Sequence, residues 1–258
     1  MRDFTLEAYS ELLSAINSKK IPVFGVADWL RNKPDYGIML RHDIDRKPRN
    51  AVRVAELENK FNVTSTYYFR ITKSSFDKDI ITKISNLGHE IGYHYEDLSL
   101  AKGDYEEAIE LFKNHLEKIR ALAPVKTIAM HGRPLSPHDN RDLWRKYNCK
   151  DFELLAEAYL DIDYSDIYYI TDTGRTWGRT KANIRDSVKT DLYADIRSTE
   201  SLISFISDNE NKKIALVMHP ERWARNKPDY YCSLSFDLSV NIIKSLLRIL
   251  KNVRRLLV

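Results

Sequence analysis

The chain has 258 residues, 43% of them hydrophobic and 30% charged, and its 41 lysines and arginines against 37 aspartates and glutamates give a net charge of +4. That balance is ordinary for a soluble globular protein, and the basic excess is too small to argue for a nucleic-acid partner. No run of about 18 apolar residues occurs, so no transmembrane segment is expected.

The N-terminal "MRDFTLEAYSELLSAIN" places acids inside its apolar pattern and reads as an amphipathic helix over 5–17, not as a signal peptide. With no export signal, a cytoplasmic location is expected, and Cys149 and Cys232 are expected to be reduced thiols. Apolar β-type runs then follow at 36–40, 64–71, 89–95, 125–130, 166–170 and 213–218. Helical periods separate them: Asn50–Phe61, Asp77–Leu87 closed by Gly88, and 104–123, where Ile109, Phe112, Leu116 and Ile119 share a stripe. Alternation of this kind predicts an α/β fold with a parallel sheet, as a barrel or an open doubly wound sheet, in a single domain over 1–258. The stretch 132–165, with Pro134, Pro137 and Asn140, reads as a long loop with a short helix. The last segment, 235–258, is a basic amphipathic helix, expected to pack on its own domain, with weak contact to an anionic membrane surface as the alternative.

Five of the β-runs lead into a carboxylate or an imidazole. "YGIML" precedes Arg41-His42-Asp43-Ile44-Asp45, "HEIGY" precedes His94, "VKTIAM" His131, "DIYYI" Asp172 and "KIALVM" His219. In parallel α/β folds the C-terminal strand ends form one rim, so these residues converge there and mark the site. Asp43 and Asp45 are two apart and project to one side of an extended segment. Two such carboxylates stay ionised together only beside a cation. A divalent metal with one histidine meets that need, with one aspartate as ligand and the other as base; a pair of helix-capping residues is the alternative. His219 is placed to act as a general acid, or is a histidine bonded into the wall.

His89 and His94 are five apart, a spacing that brings them together on neither a helix nor a strand. In an extended segment they face opposite sides, which assigns His94, at the strand's end, to the site and His89, at its entrance, to the structure.

In order, "LRHDID", "GHEIGYHYEDL", "AMHGRP", "TDTGRTW" and "LVMHPERW" resemble the five motifs of the NodB-type polysaccharide deacetylases, carbohydrate esterase family four, over roughly residues 36–225. The resemblance implies a distorted (β/α) barrel of about seven parallel strands and metal-dependent removal of N-acetyl groups from an amino sugar or glycan precursor, with zinc as the expected ion. It implies Asp43 as base, Asp45 and His94 as metal ligands, Arg133 with Pro134 bordering the base, Asp172 and Trp177 lining the pocket, and His219 as the acid. Trp177 and Trp223 are candidates for stacking against a sugar ring.

The sequence departs from the family at two places. Ile44 separates aspartates that the family has adjacent, and Leu98 stands where the family has its second histidine. Leucine binds no metal, so His131, or else Glu96, is expected to complete the set. Partners expected are a carbohydrate or nucleotide sugar. Alternatives are hydrolysis of another non-peptide C–N bond, such as a cyclic amide, and a non-catalytic carbohydrate-binding barrel that has lost its metal.

Overall fold

The computed structural model describes residues 2–133, 135–177 and 185–256, without the side chains of residue 244 and of 246 onward. Its elements alternate from end to end: α1 (Leu6–Ser18), β1 (Val23–Phe24), α2 (Val26–Asn32), β2 (Gly37–Ile44), α3 (Pro48–Lys60), β3 (Thr66–Phe69), α4 (Lys78–Asn86), β4 (Glu90–Tyr95), α5 (Asp97–Leu100), α6 (Tyr105–Arg120), β5 (Val125–Met130), β6 (Ala156–Glu157), β7 (Ile167–Thr171), α7 (Thr199–Asp208), β8 (Lys213–Met218) and α8 (Lys227–Leu256). The strands pair in the order β6-β5-β4-β3-β2-β8-β7, all parallel, and β1 adds to the first half of β2 through Val23 and Phe24. The result is a curled, open barrel of seven strands with helices outside. The expected distorted (β/α) barrel is therefore the fold.

β2, β3 and β8 bury both faces, which is why each reads as a largely apolar run and not an alternation. The period of two still sorts the side chains. Ile38, Leu40 and Ile44 of β2 pack under the outer helices, whereas Met39 joins Tyr68, Ala129, Tyr169, Ala215 and Val217 inside the barrel. Gly92 makes this interior possible: a Cβ there would stand 2.3 Å from the Tyr68 ring, which crosses the barrel to meet Thr127 Oγ1 at 2.8 Å. Gly88, at φ +91°, turns the chain from α4 into β4.

On the outer side, the buried Glu58 of α3 gathers Tyr9, Tyr67 (2.7 Å), Ser65 (2.7 Å) and His42 Nε2 (2.6 Å). Burial would raise the Glu58 carboxyl, but His42 beside it brings it down to about 2. His89 lies in the same cluster, its Nε2 3.2 Å from Ala55 O and its side chain fully buried. Both histidines thus belong to the wall.

The elements differ from the sequence reading in three respects. β1 and β6 have two residues each, too short for a periodicity to register. The stretch 132–165 carries two 3-10 turns, Asn140–Arg145 and Cys149–Phe152, before β6. The last helix begins at Lys227, eight residues before position 235; of its described apolar side chains, Tyr231, Leu238, Ile242 and Ile243 stay exposed, whereas Phe236 and Val240 line a cavity of the barrel. Among the described residues no helix is long and apolar enough to cross a membrane.

Candidate active site

A cavity of about 220 Å³ opens at the C-terminal ends of the strands, where the inward-facing period-two positions meet. On β2 and the residue beyond it, that period gives Arg41, Asp43 and Asp45; β4 gives His94; the residues just after β5 and β8 give His131 and His219. Asp43, Asp45, His94, His131, Arg133 and His219 all line the cavity. The sheet has brought together residues up to 176 positions apart in sequence, from Asp43 to His219.

Asp45 stands at the centre. Its Oδ1 lies 3.3 Å from His131 Nε2 and 3.5 Å from His94 Nε2, and it is buried without a hydrogen-bond partner. The other nitrogen of each ring is committed. His94 Nδ1 donates to Ala129 O at 2.9 Å, and His131 Nδ1 to Glu96 Oε2 at 3.2 Å. A carbonyl can only accept, so the His94 proton sits on Nδ1, and a neutral ring then aims the Nε2 lone pair at Asp45. Burial pushes the His131 imidazolium below its ordinary range, toward the neutral form. Burial opposes ionisation of Asp45 as well, but His131, His94 and His219 around it hold its carboxyl well below the usual range. Glu96, which orients His131, is kept near 2 against its burial by His131 and Arg70, the latter bonding Oε1 at 2.7 Å.

Asp43 is held differently. Arg41 Nη2 donates to its Oδ2 at 2.9 Å, and Oδ1 is buried with no partner. The Arg41 guanidinium is itself 1% exposed, sandwiched over the Tyr159 ring at 4.4 Å. Arg133, expected beside the base, instead approaches Glu96 at 3.5 Å. Its neighbour Pro134 lies outside the described residues. Sequence reading missed Arg41. The available signal was its place two before Asp43 and four before Asp45 on one strand face.

Asp172 is fully buried below the cavity. Its Oδ1 accepts from His219 Nδ1 (2.6 Å) and Arg222 Nη1 (2.8 Å), and its Oδ2 from His219 N and Trp223 Nε1, both at 3.1 Å. Burial alone would raise it; Arg222 and His219 bring it to about 2. Burial and Arg222 both oppose a charged His219, yet Asp172 outweighs them and lifts the imidazole to about 9. His219 is thus a cation at neutral pH, tethered at Nδ1 and free to present Nε2 to the cavity. Asp172 therefore touches His219 and not the cavity, so its place is that of a positioning residue.

The two tryptophans do not stand where a stacking role requires. Trp177 is 3% and Trp223 1% exposed, and neither forms part of the cavity wall. They pack against each other and against Phe4 at ring separations of 5.6–5.9 Å, Trp177 stacked on Phe4 and the other two pairs tilted, closing the core below the site. The N-terminal segment brings Phe4 there, a long-range packing that no local pattern announces. Leu98 also lies in the core, 2% exposed on α5.

No family model matches the chain, and no curated protein does. Solved structures similar to it include a mutant of a CE4-family pseudoenzyme with restored enzymatic activity, at 12% identity and a TM-score of 0.42, covering 78% of this chain and 61% of that one. They also include a family 4 carbohydrate esterase from Bacillus anthracis, at 14% identity and a TM-score of 0.40, covering 90% of this chain and 84% of that one. The chain thus spans less than two thirds of the pseudoenzyme. By their names, the first is a pseudoenzyme of the CE4 family and the second a family 4 carbohydrate esterase.

Proposed function

We propose that the protein is a metal-dependent N-deacetylase acting on an amino sugar, free or as part of a glycan precursor or nucleotide sugar. The observation that carries this reading is the buried, unpartnered Asp45 Oδ1 facing two imidazole nitrogens whose partner nitrogens are already used. An ionised oxygen and two lone pairs cannot rest together without a proton or a cation between them.

The donor chemistry suits zinc, which takes carboxylate and imidazole ligands at about 2.0–2.2 Å; four such donors around one ion stand roughly 3.3–3.5 Å apart. The two Asp45 to histidine separations, 3.3 and 3.5 Å, have that length. Among the described residues no group of three His, Cys, Asp or Glu side chains is placed to hold a metal ion as it stands, so binding requires these three to move. Asp45, His94 and His131 would hold the ion. The Ala129 carbonyl and Glu96 act behind the two rings, fixing which nitrogen faces the site. A bound divalent ion would polarise the acetamido carbonyl and acidify a water.

The remaining steps fall to the chain's own groups. Asp43, anchored through Oδ2 by Arg41, has Oδ1 free to take a proton from the attacking water. His219, charged and tethered by Asp172, can give its proton to the departing amine nitrogen. The cavity volume, about 220 Å³, is below the roughly 300–1,000 Å³ of pockets that enclose drug-sized ligands, and leaves room for about one sugar ring with its acyl group.

The test is elemental analysis of purified protein beside His94→Ala and His131→Ala, with acetate release measured on a panel of N-acetylated sugars and nucleotide sugars. About one zinc or similar ion per chain, lost in both variants together with acetate release, is the expected result. Metal-free protein after reconstitution, or metal retained in both variants, would overturn the assignment.

A further inference from the structure

The helix α8 (Lys227–Leu256) meets the barrel with its polar side. Ser233 Oγ donates to Glu221 O at 2.9 Å, Asp237 accepts from Arg46 at 3.1 Å and Arg175 at 3.3 Å, and Asn241 Nδ2 donates to Gly174 O at 2.9 Å. These three residues are four apart and share one stripe. Tyr231, Leu238 and Ile242, spaced seven and four, lie on the opposite side and are 55%, 53% and 61% exposed. A helix packed on its own core does the reverse, burying the apolar stripe.

The sequence extends both stripes along the same helical repeat. Positions 246, 249 and 253, Leu, Ile and Val, continue the apolar line, and 244, 248, 251 and 255, Lys, Arg, Lys and Arg, continue the polar one. The side chains of these seven lie outside the described residues, so they are placed only by their positions on the helix. The segment Leu238–Val258 holds five of the chain's 41 basic residues and none of its 37 acidic ones; the remainder has 36 bases against 37 acids. All of the chain's positive net charge therefore resides in this stretch.

We propose that α8 docks on an anionic membrane surface, its Tyr231, Leu238 and Ile242 stripe entering the boundary between headgroups and acyl chains and the basic excess of its C-terminal half drawing it to anionic lipid. Charge selects this occupant over a second copy of the chain. A copy would add a second set of uncompensated bases to the assembly, whereas an anionic surface neutralises them. Phe236 and Val240 of the same helix line the cavity, so docking sets the cavity about one helix diameter, ~10 Å, from the headgroups.

The experiment is co-sedimentation of the intact protein with vesicles of equal parts phosphatidylglycerol and phosphatidylcholine, and with phosphatidylcholine alone. Wild type is expected to bind the anionic vesicles, to release at high salt, and to bind the neutral ones weakly. The double variant Leu238→Ser/Ile242→Ser is expected to bind roughly tenfold or more weakly, with an unchanged melting temperature because both positions are exposed. No binding of wild type to the anionic vesicles, or equal binding by the double variant, would overturn the proposal. So would a lipid-free dimer in sedimentation velocity that the same double variant dissociates, since the stripe would then belong to a second copy.

Discussion

Replacing Asp172 by Asn tests the electrostatic core of the site without touching the cavity wall. In the wild type the Asp172 carboxylate, 2.6 Å from Nδ1, lifts His219 to about 9. About nine-tenths of the imidazole is then protonated at pH 8. Without the carboxylate, burial and Arg222, which both disfavour the cation, remain and outweigh the smaller pull of Asp45 toward it. The ordinary imidazole value of about 6.5 is therefore an upper bound, leaving about 3% protonated at pH 8. A step that needs the His219 proton slows by roughly thirtyfold at pH 8 and by much less at pH 6. The direct assay is NMR titration of the imidazole resonances, with His219 assigned by the signal missing from His219→Gln. The midpoint is expected to move from near 9 to below about 6.5. A midpoint that stays near 9 in Asp172→Asn would refute the claim that this carboxylate sets the charge.

The same pair links stability to pH. His219 has a folded value raised above its unfolded one, so its contribution is complete below about 6.5 and is lost as pH rises through about 9; the span corresponds to roughly 3 kcal/mol. The melting temperature should fall between pH 7 and 10 in the wild type, and a flat profile there would count against it. Arg41→Met removes the partner of Asp43 Oδ2 and should lower acetate release on the order of 100-fold, with Arg41→Lys recovering part of it; full activity in Arg41→Met would exclude Arg41 as the anchor of the base. Gly92→Ala drives a methyl to 2.3 Å from the Tyr68 ring and should cost about 1–3 kcal/mol, read as a drop of roughly 2–4 °C in melting temperature per kcal/mol. An unchanged melting temperature would mean that Tyr68 moves aside freely.

What was legible in the sequence follows from where the information is stored. The strands could be read because both faces are buried, which leaves continuous apolar runs, and because their polar C-terminal ends carry His or Asp. His94 and His89 could be separated from each other by the period of two alone. The two-residue strands β1 and β6 could not be found, since two residues hold no period. Which side of α8 faces the barrel was not legible for a related reason: amphipathicity marks a stripe but not what covers it. Three polar contacts, through Ser233, Asp237 and Asn241, decide that the barrel takes the polar side. The tryptophans were assigned to the pocket because aromatic rings suit sugars, whereas their burial depends on Phe4, more than 170 residues away from Trp177 in sequence.

The substitution of leucine at position 98 raises the question of how such a site is held together. Here α5 turns Leu98 into the core between β4 and α6, where it is 2% exposed. His131 comes to Asp45 from β5, the strand paired with β4, through the register His94–Ala129 and the bond from His131 N to Tyr95 O at 2.8 Å. Both imidazoles therefore stand on adjacent strands of one sheet, a more rigid frame than a four-residue helix. Glu96 completes the exchange: its carboxylate orients His131 instead of facing Asp45, and Arg70 fixes Glu96 in turn. If this arrangement binds an ion as proposed, Glu96→Gln should weaken metal affinity about 10–100-fold while leaving the three donors in place. Isothermal titration of apo-protein with zinc measures it. Affinity unchanged in Glu96→Gln would mean that His131 needs no orienting carboxylate, and the argument that Glu96 stands behind the site would fall.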